Sequence, residues 1–155
     1  MDRPPLPPAP SFAADPLTSH VWDVTRMKQF VSFGNLTYGS NNRPTDVDAL
    51  FEYKNKLFII YEVKYGDAEL QRGQFLSLTR LCDALQLAKP TLLIIARHNT
   101  PVDQIVDLAY CGVRKFRWEG LWYPTPKGMF LSVRGLTDKF IQYVEGMCDF
   151  PVTKQ

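Results

Sequence analysis

The sequence predicts one α/β domain built on a mixed sheet. Three observations carry this reading. "DVDALFEY" and "LFIIYEVK" are β-branched and aromatic runs separated only by Lys54-Asn55-Lys56, a hairpin pattern. "TLLIIAR" is continuously apolar, as expected of a strand buried on both faces. Amphipathic helical patterns lie between and after these runs, so helices layer against the sheet.

Taken in order, residues 1–17 form a proline-rich arm. Proline has no N–H to give and a fixed φ, so "DRPPLPPAPSFAADP" reads as flexible or polyproline chain. The remaining span, 18–150, reads as one domain. Val21, Val24, Met27 or Lys28, and Val31 recur at helical spacing and predict a first helix over 18–32. "NLTYGSNNRPT" is loop-like, with one short strand at 36–38. The hairpin follows. "GDAELQRGQFLSLTRLCDALQLAK" predicts a helix with Asp67 as N-cap and Pro90 past its end. After the apolar strand, "PVDQIVDLAYCG" predicts a short helix opened by Pro101 and closed by Gly112. "VRKFRWEGLWYP" predicts strand with a turn at Glu119-Gly120. "LTDKFIQYVEGM" predicts a last helix with Leu136, Phe140, Val144 and Met147 on its apolar face.

With 45% hydrophobic and 22% charged residues the chain reads as globular and soluble, and no apolar run approaches a membrane span. The N-terminus lacks a secretory pattern. Cys82, Cys111 and Cys148 are widely spaced and odd in number, against a disulfide framework or a zinc knuckle. Cys82 and Cys148 fall in predicted helices and read as buried free thiols. A reducing cytoplasm is the expected compartment. A net charge of +2 leaves nucleic acid open as a partner, because a local basic patch suffices.

The chemistry concentrates in the hairpin. With its turn centred on Asn55, facing residues have numbers summing to about 110, which sets Asp48 opposite Glu62 and Asp46 opposite Lys64. Residues two apart on a strand share a face, so Asp46, Asp48, Glu62 and Lys64 cluster at one end of the hairpin. Packed carboxylates stay ionised only beside positive charge. Lys64 supplies one such charge, and a hard divalent cation is the natural second. On the next helix Gln71, Gln74, Leu78, Leu81 and Leu85 form one stripe. Its polar members lie nearest the strand carrying Glu62 and Lys64.

"TDVDALFEYKNKLFIIYEVKYG" resembles the PD-(D/E)xK nuclease superfamily, over roughly residues 44–97. In that pattern an acid opens one core strand and E-x-K ends the next. Asp48 matches the acid and Glu62 and Lys64 match the E-x-K pair. Gln74 matches a glutamine that several branches carry on the following helix. The departure is the missing proline: Val47 precedes Asp48, and Pro44 lies two residues before Asp46, so Asp46 is the alternative first acid. Small phage-type and Holliday-junction-resolvase-like members are similar in size. The resemblance implies a restriction-endonuclease-like α-β-β-β-α-β core, here with a C-terminal helix-strand-helix extension. It implies a Mg²⁺-dependent deoxyribonuclease (Mn²⁺ as substitute), an endonuclease on duplex or branched DNA. Asp48, Glu62 and the Val63 carbonyl would hold the metal, with Asp46 serving a second. Lys64 would assist the attacking water and Gln74 would orient it. The compartment implied is a bacterial or phage-infected cytoplasm, and resolvase-like relatives often form homodimers. The alternative is a catalytically inactive module of the same fold that binds DNA or a protein partner, as in phage defence or counter-defence.

Elsewhere, Arg114, Lys115 and Arg117 alternate with Phe116 and Trp118, and Trp122 and Tyr123 follow. Such interleaving suits phosphates and stacked bases, and it equally suits a hairpin with aromatics inside and charges outside. Arg72 and Arg80, on or near the second helix, could equally flank a DNA channel or be solvated, and Arg97 at the end of the apolar strand is a further candidate nucleic-acid contact. His20 and His98 have no partner at metal or triad spacing, and no Walker loop, G-x-S-x-G or H-E-x-x-H motif occurs.

Overall fold

The computed structural model describes residues 44–150. The proline-rich arm, the predicted helix over 18–32 and the short strand at 36–38 lie outside the described residues. Five strands form one mixed sheet in the order β1 (Ala49–Tyr53), β2 (Leu57–Tyr65), β3 (Thr91–His98), β4 (Gly112–Trp118) and β5 (Leu121–Pro124). Helix α1 (Arg72–Gln86) connects β2 to β3, which run parallel, and α2 (Val133–Val144) follows β5. The other three strand pairs are antiparallel.

The hairpin register follows from its turn. Lys54 and Asn55 both take positive φ (48° and 59°), and Lys56 donates its N–H to Tyr53 O at 2.8 Å. A turn of this kind carries the twist that two adjoining strands need. Lys56 is the extra loop residue, so Tyr53 faces Leu57, Leu50 faces Ile60 and Ala49 faces Tyr61. These pairs add to 110, the register expected from the sequence. The β4–β5 turn repeats the device at Glu119 (φ 47°) and Gly120 (φ 77°).

The two sheet faces form separate cores. Leu57, Ile59, Tyr61, Leu92, Ile94, Ala96, Val113, Phe116 and Trp118 pack with Val133, Leu136 and Phe140 of α2. Ile60, Leu93 and Ile95 pack with Leu78 and Cys82 of α1. Thr91 through Ala96 are all buried, as the apolar run predicts for a central strand covered on both sides. The face under α1 holds the even-numbered residues of β2, Ile60, Glu62 and Lys64.

Several expectations are corrected. The helix predicted from Asp67 starts at Arg72. Its N-cap position is Gln71, in extended conformation and without a side-chain cap bond. Gly66, at φ +56°, first takes the chain out of β2 into a turn closed by Ala68 N–H to Tyr65 O at 3.1 Å. The stripe facing the sheet runs through Leu78, Cys82 and half-buried Leu85, while Leu81 and Gln71 are exposed. The helix predicted over 101–112 is reduced to one 3-10 turn, Leu108–Tyr110, capped by Asp107. Val102 and Ile105 stay exposed there, and a helix this short does not persist without a face to bury. Met147 lies beyond α2 and is exposed, as is Cys148, whereas Cys82 and Cys111 are buried. Burial pushes the Cys82 thiol up to about 12, so it behaves as a small core hydrophobe.

Phe140 is fully buried and meets Trp118 edge-on, with ring centroids 5.0 Å apart. Phe140→Ala is expected to lower stability by about 3–5 kcal/mol, read from urea denaturation midpoints.

A buried carboxylate, lysine and glutamine at the head of the parallel strands

The site forms where β2 nears its carboxyl end. Glu62 is completely buried, with Ile95 as its neighbour on β3, because its position on β2 points under the first turn of α1. An ionised carboxylate there needs compensation. Lys64 Nζ stands 2.6 Å from Glu62 Oε1, and Gln74 Nε2 donates to the same oxygen at 2.7 Å. Lys64 Nζ also donates to Gln74 Oε1 at 3.1 Å. The three side chains thus close a triangle, and the amide of Gln74 is oriented by having a donor and an acceptor partner at once.

The other oxygen, Glu62 Oε2, is buried and has no hydrogen-bond partner. Burial raises the Glu62 pKa above its ordinary value, the Lys64 hydrogen bond opposes this, and the Asp48 charge adds to it, with a smaller push from Asp46. An acid in this state is short of positive charge.

The two aspartates precede β1. Asp48 Oδ2 accepts from Val63 N–H at 2.6 Å, so the side chain reaches across to the backbone next to Glu62. Asp46 Oδ1 accepts from Gln74 Nε2 at 3.4 Å, a long contact. Gln74 thus links Asp46, Glu62 and Lys64, and Asp48 reaches the backbone beside Glu62; the β1–β2 ladder itself ends at Ala49–Tyr61, so these are side-chain contacts beyond the strand pairing. Among the described residues, no three His, Cys, Asp or Glu side chains are arranged to hold a metal ion. The donor set implied by the resemblance is different in kind: two carboxylates and one backbone carbonyl. The unpartnered Glu62 oxygen, beside the Asp48 charge, fits one hard cation drawn from that set.

The basic residues lie along the same face of the sheet, one and two strands over. Arg97 of β3 is the register partner of Lys64 and pairs with Asp67 at 3.1 Å. Arg114 of β4 pairs with Glu69 and donates to the Asp67 carbonyl at 3.5 Å. Lys115 Nζ sits 4.9 Å from both the Phe75 and Trp122 ring centres, and those rings are stacked 5.2 Å apart. Arg117 is engaged by Asp83 through two hydrogen bonds of 2.7 and 2.9 Å, which hold the Asp83 carboxyl below its ordinary value. Arg72 is exposed on the first turn of α1. The aromatics of this stretch divide: Phe116 and Trp118 belong to the α2 core and Tyr123 stacks on Phe116, while Trp122 faces α1. His98 Nδ1 accepts from Thr100 N–H at 3.2 Å, a local loop contact.

The sequence marks Asp67 only as a helix N-cap and does not mark Glu69. The alternation of acids in "GDAEL" immediately after the E-x-K strand was the available signal. The α1 residue Phe75 was likewise not linked to Lys115, since such a contact depends on a register two strands away.

The fold and the site define an α/β domain whose mixed sheet carries an acid–lysine–glutamine triangle at the carboxyl ends of two parallel strands, the usual place for a site in such sheets. Comparison with known proteins returned no match: no family model fits the chain, and neither a curated protein nor a solved structure matches it.

The raised Glu62 pKa has a defined consequence for stability. A group raised on folding stabilises the protein fully below its unfolded value, ordinarily 4.5, and that contribution is lost as pH rises through the folded value. The stability difference between wild type and Glu62→Gln should therefore move in favour of the variant as pH increases from about 4 to 8. Urea denaturation of both proteins across this range measures it. A difference that moves the other way means the Lys64 pairing outweighs burial.

Proposed function

We propose that this domain is a metal-dependent nuclease that hydrolyses phosphodiester bonds in DNA. The observation that carries the reading is the buried Glu62 carboxylate, with one oxygen held by Lys64 and Gln74 and the other without a partner. The strand and helix order that contributes it, β1–β2–α1–β3, is compatible with the restriction-endonuclease-like core named above. A chance surface ion pair would expose both carboxylate oxygens to water. Here one is buried and has no protein partner, a position that a cation, a proton or a water can satisfy.

Asp48 and Glu62, with the Val63 carbonyl, would hold Mg²⁺, and Asp46 could serve a second ion. The metal, when bound, would polarise the phosphoryl oxygen and lower the pKa of water beside it. The chain's own groups have separate roles. Lys64 would supply positive charge to the phosphoryl oxygens on which negative charge develops. Its ammonium would also hold the attacking water. Gln74 accepts from Lys64 and donates to Glu62, so it keeps both in one orientation. The arginines of β3 and β4, with Lys115, continue the positive charge along the face on which a nucleic-acid backbone would lie.

A second reading rests on a specific contact. Asp48 Oδ2 is engaged by the Val63 N–H, and Lys64 is satisfied within the triangle, which is also how a non-catalytic binding module would be held together. The two readings separate in one assay. Supercoiled plasmid, linear duplex and branched DNA are incubated with the protein in Mg²⁺, Mn²⁺ or EDTA. The nuclease reading expects metal-dependent nicking that falls roughly 100-fold or more in Glu62→Gln and Lys64→Ala, as for removal of a transition-state donor, with a smaller loss in Gln74→Ala. Cleavage that persists in Glu62→Gln rejects the assignment. DNA binding with no cleavage selects the module.

Metal binding has its own readout. Mg²⁺ should raise the thermal midpoint of the wild type in proportion to the logarithm of its concentration above the dissociation constant, and this gain should vanish in Glu62→Gln.

A further inference from the structure

The turn between β2 and α1 places two carboxylates on two arginines beside the site. Arg97 Nη1 donates to Asp67 Oδ1 at 3.1 Å and Arg114 Nη1 donates to the Asp67 carbonyl at 3.5 Å, while Arg114 also pairs with Glu69. Both guanidinium groups therefore converge on one residue. They do so because of a bulge in the β3–β4 ladder: Ile95 faces Lys115, Ala96 faces Val113, and Arg114 is the extra residue between them. Arg97 in turn is the register partner of Lys64. Arg97 lies one strand from the triangle, a spacing of about 5 Å, and Arg114 lies one strand further.

We infer that Arg97 and Arg114 form a phosphate subsite for the nucleic-acid backbone, and that Asp67 and Glu69 occupy it when no nucleic acid is bound. This rests on the nucleic-acid part of the function proposed above. Two facts favour an occupant over a strut. The turn is held without its carboxylates: Gly66 N–H donates to His98 O at 2.9 Å, Ala68 N–H to Tyr65 O at 3.1 Å, and Leu70 packs on the α1 core. The ion pairs are also open to water, with Arg97 and Asp67 side chains 54% and 88% exposed, so they are weak and exchangeable. A backbone phosphate presents two anionic oxygens that a guanidinium can engage as it engages a carboxylate, so it can take the place of the acid on the same arginine.

The test is fluorescence anisotropy of a labelled oligonucleotide of about 20 nucleotides, single-stranded and duplex, in EDTA so that no cleavage occurs. Asp67→Asn/Glu69→Gln should tighten binding about 3- to 10-fold, the product of two exposed ion pairs removed from competition. A control with the same charge change elsewhere, Glu119→Gln/Asp149→Asn, should change affinity by less than about 2-fold. Arg97→Gln/Arg114→Gln should weaken binding roughly ten-fold, with a shallower salt dependence. Combining the four substitutions should abolish the gain from the acidic pair. Binding that is unchanged or weakened in Asp67→Asn/Glu69→Gln overturns the inference, as does a gain of equal size in the control. Nicking assays on the wild type run separately: absent cleavage with this binding pattern intact rejects the nuclease but not the subsite, and cleavage without the pattern rejects the subsite alone.

Discussion

The burial of the Glu62 carboxylate is the constraint on which the rest of this site depends. β2 is an interior strand of the sheet, and one of its faces is closed by α1, the connection to its parallel partner β3. A carboxylate on that face could be left in water only by shortening the helix or opening the sheet. Instead the first turn of α1 carries a polar residue, Gln74, where its later turns carry Leu78 and Cys82. Helix and strand are therefore matched in polarity along their length. The dry half of the α1 interface supplies cohesion, and the polar half supplies the site.

That division also explains why the sheet is charged along one edge of its α1 face. Moving from β2 to β4, the side chains nearest the carboxyl end of the parallel strands are Lys64, then Arg97, then Arg114 and Lys115. None of these is needed by the core, which ends at Ile60, Leu93 and Ile95. Lys115 is held beside the stacked pair Phe75 and Trp122 by the attraction of a cation to aromatic rings. Because Phe75 adjoins Gln74, that contact also fixes the start of the helix that completes the triangle.

Much of this was legible in the sequence, and the reasons are local. The hairpin register could be counted because its turn is short and polar and its strands are strongly patterned. The count placed Asp46 and Asp48 against Glu62 and Lys64, and helical spacing added Gln74. Where the sequence misled, a longer-range interaction decided the outcome. α1 starts later than the helical spacing predicts because the positive φ of Gly66 and the Ala68 N–H bond to Tyr65 O hold the chain in a turn after β2. Residues 101–107 have helical spacing but nothing to pack on. Leu81 and Cys82 are adjacent, and only the helix's rotation against the sheet determines that the cysteine, not the leucine, is buried.

The bulge at Arg114 has a consequence for how this chain can vary. Strict alternation would put Val113, Lys115 and Arg117 on one side of β4, and Arg114, Phe116 and Trp118 on the other. With one residue out of step, Val113 joins Phe116 and Trp118 in the α2 core, and Arg114 is freed to reach the turn before α1. A homologue that lacked one residue here would have an ordinary ladder and would lose the arginine outright rather than exchange it. Point substitution and single-residue deletion are thus different evolutionary events at this position. The first changes a side chain, and the second changes how many cations the sheet can present.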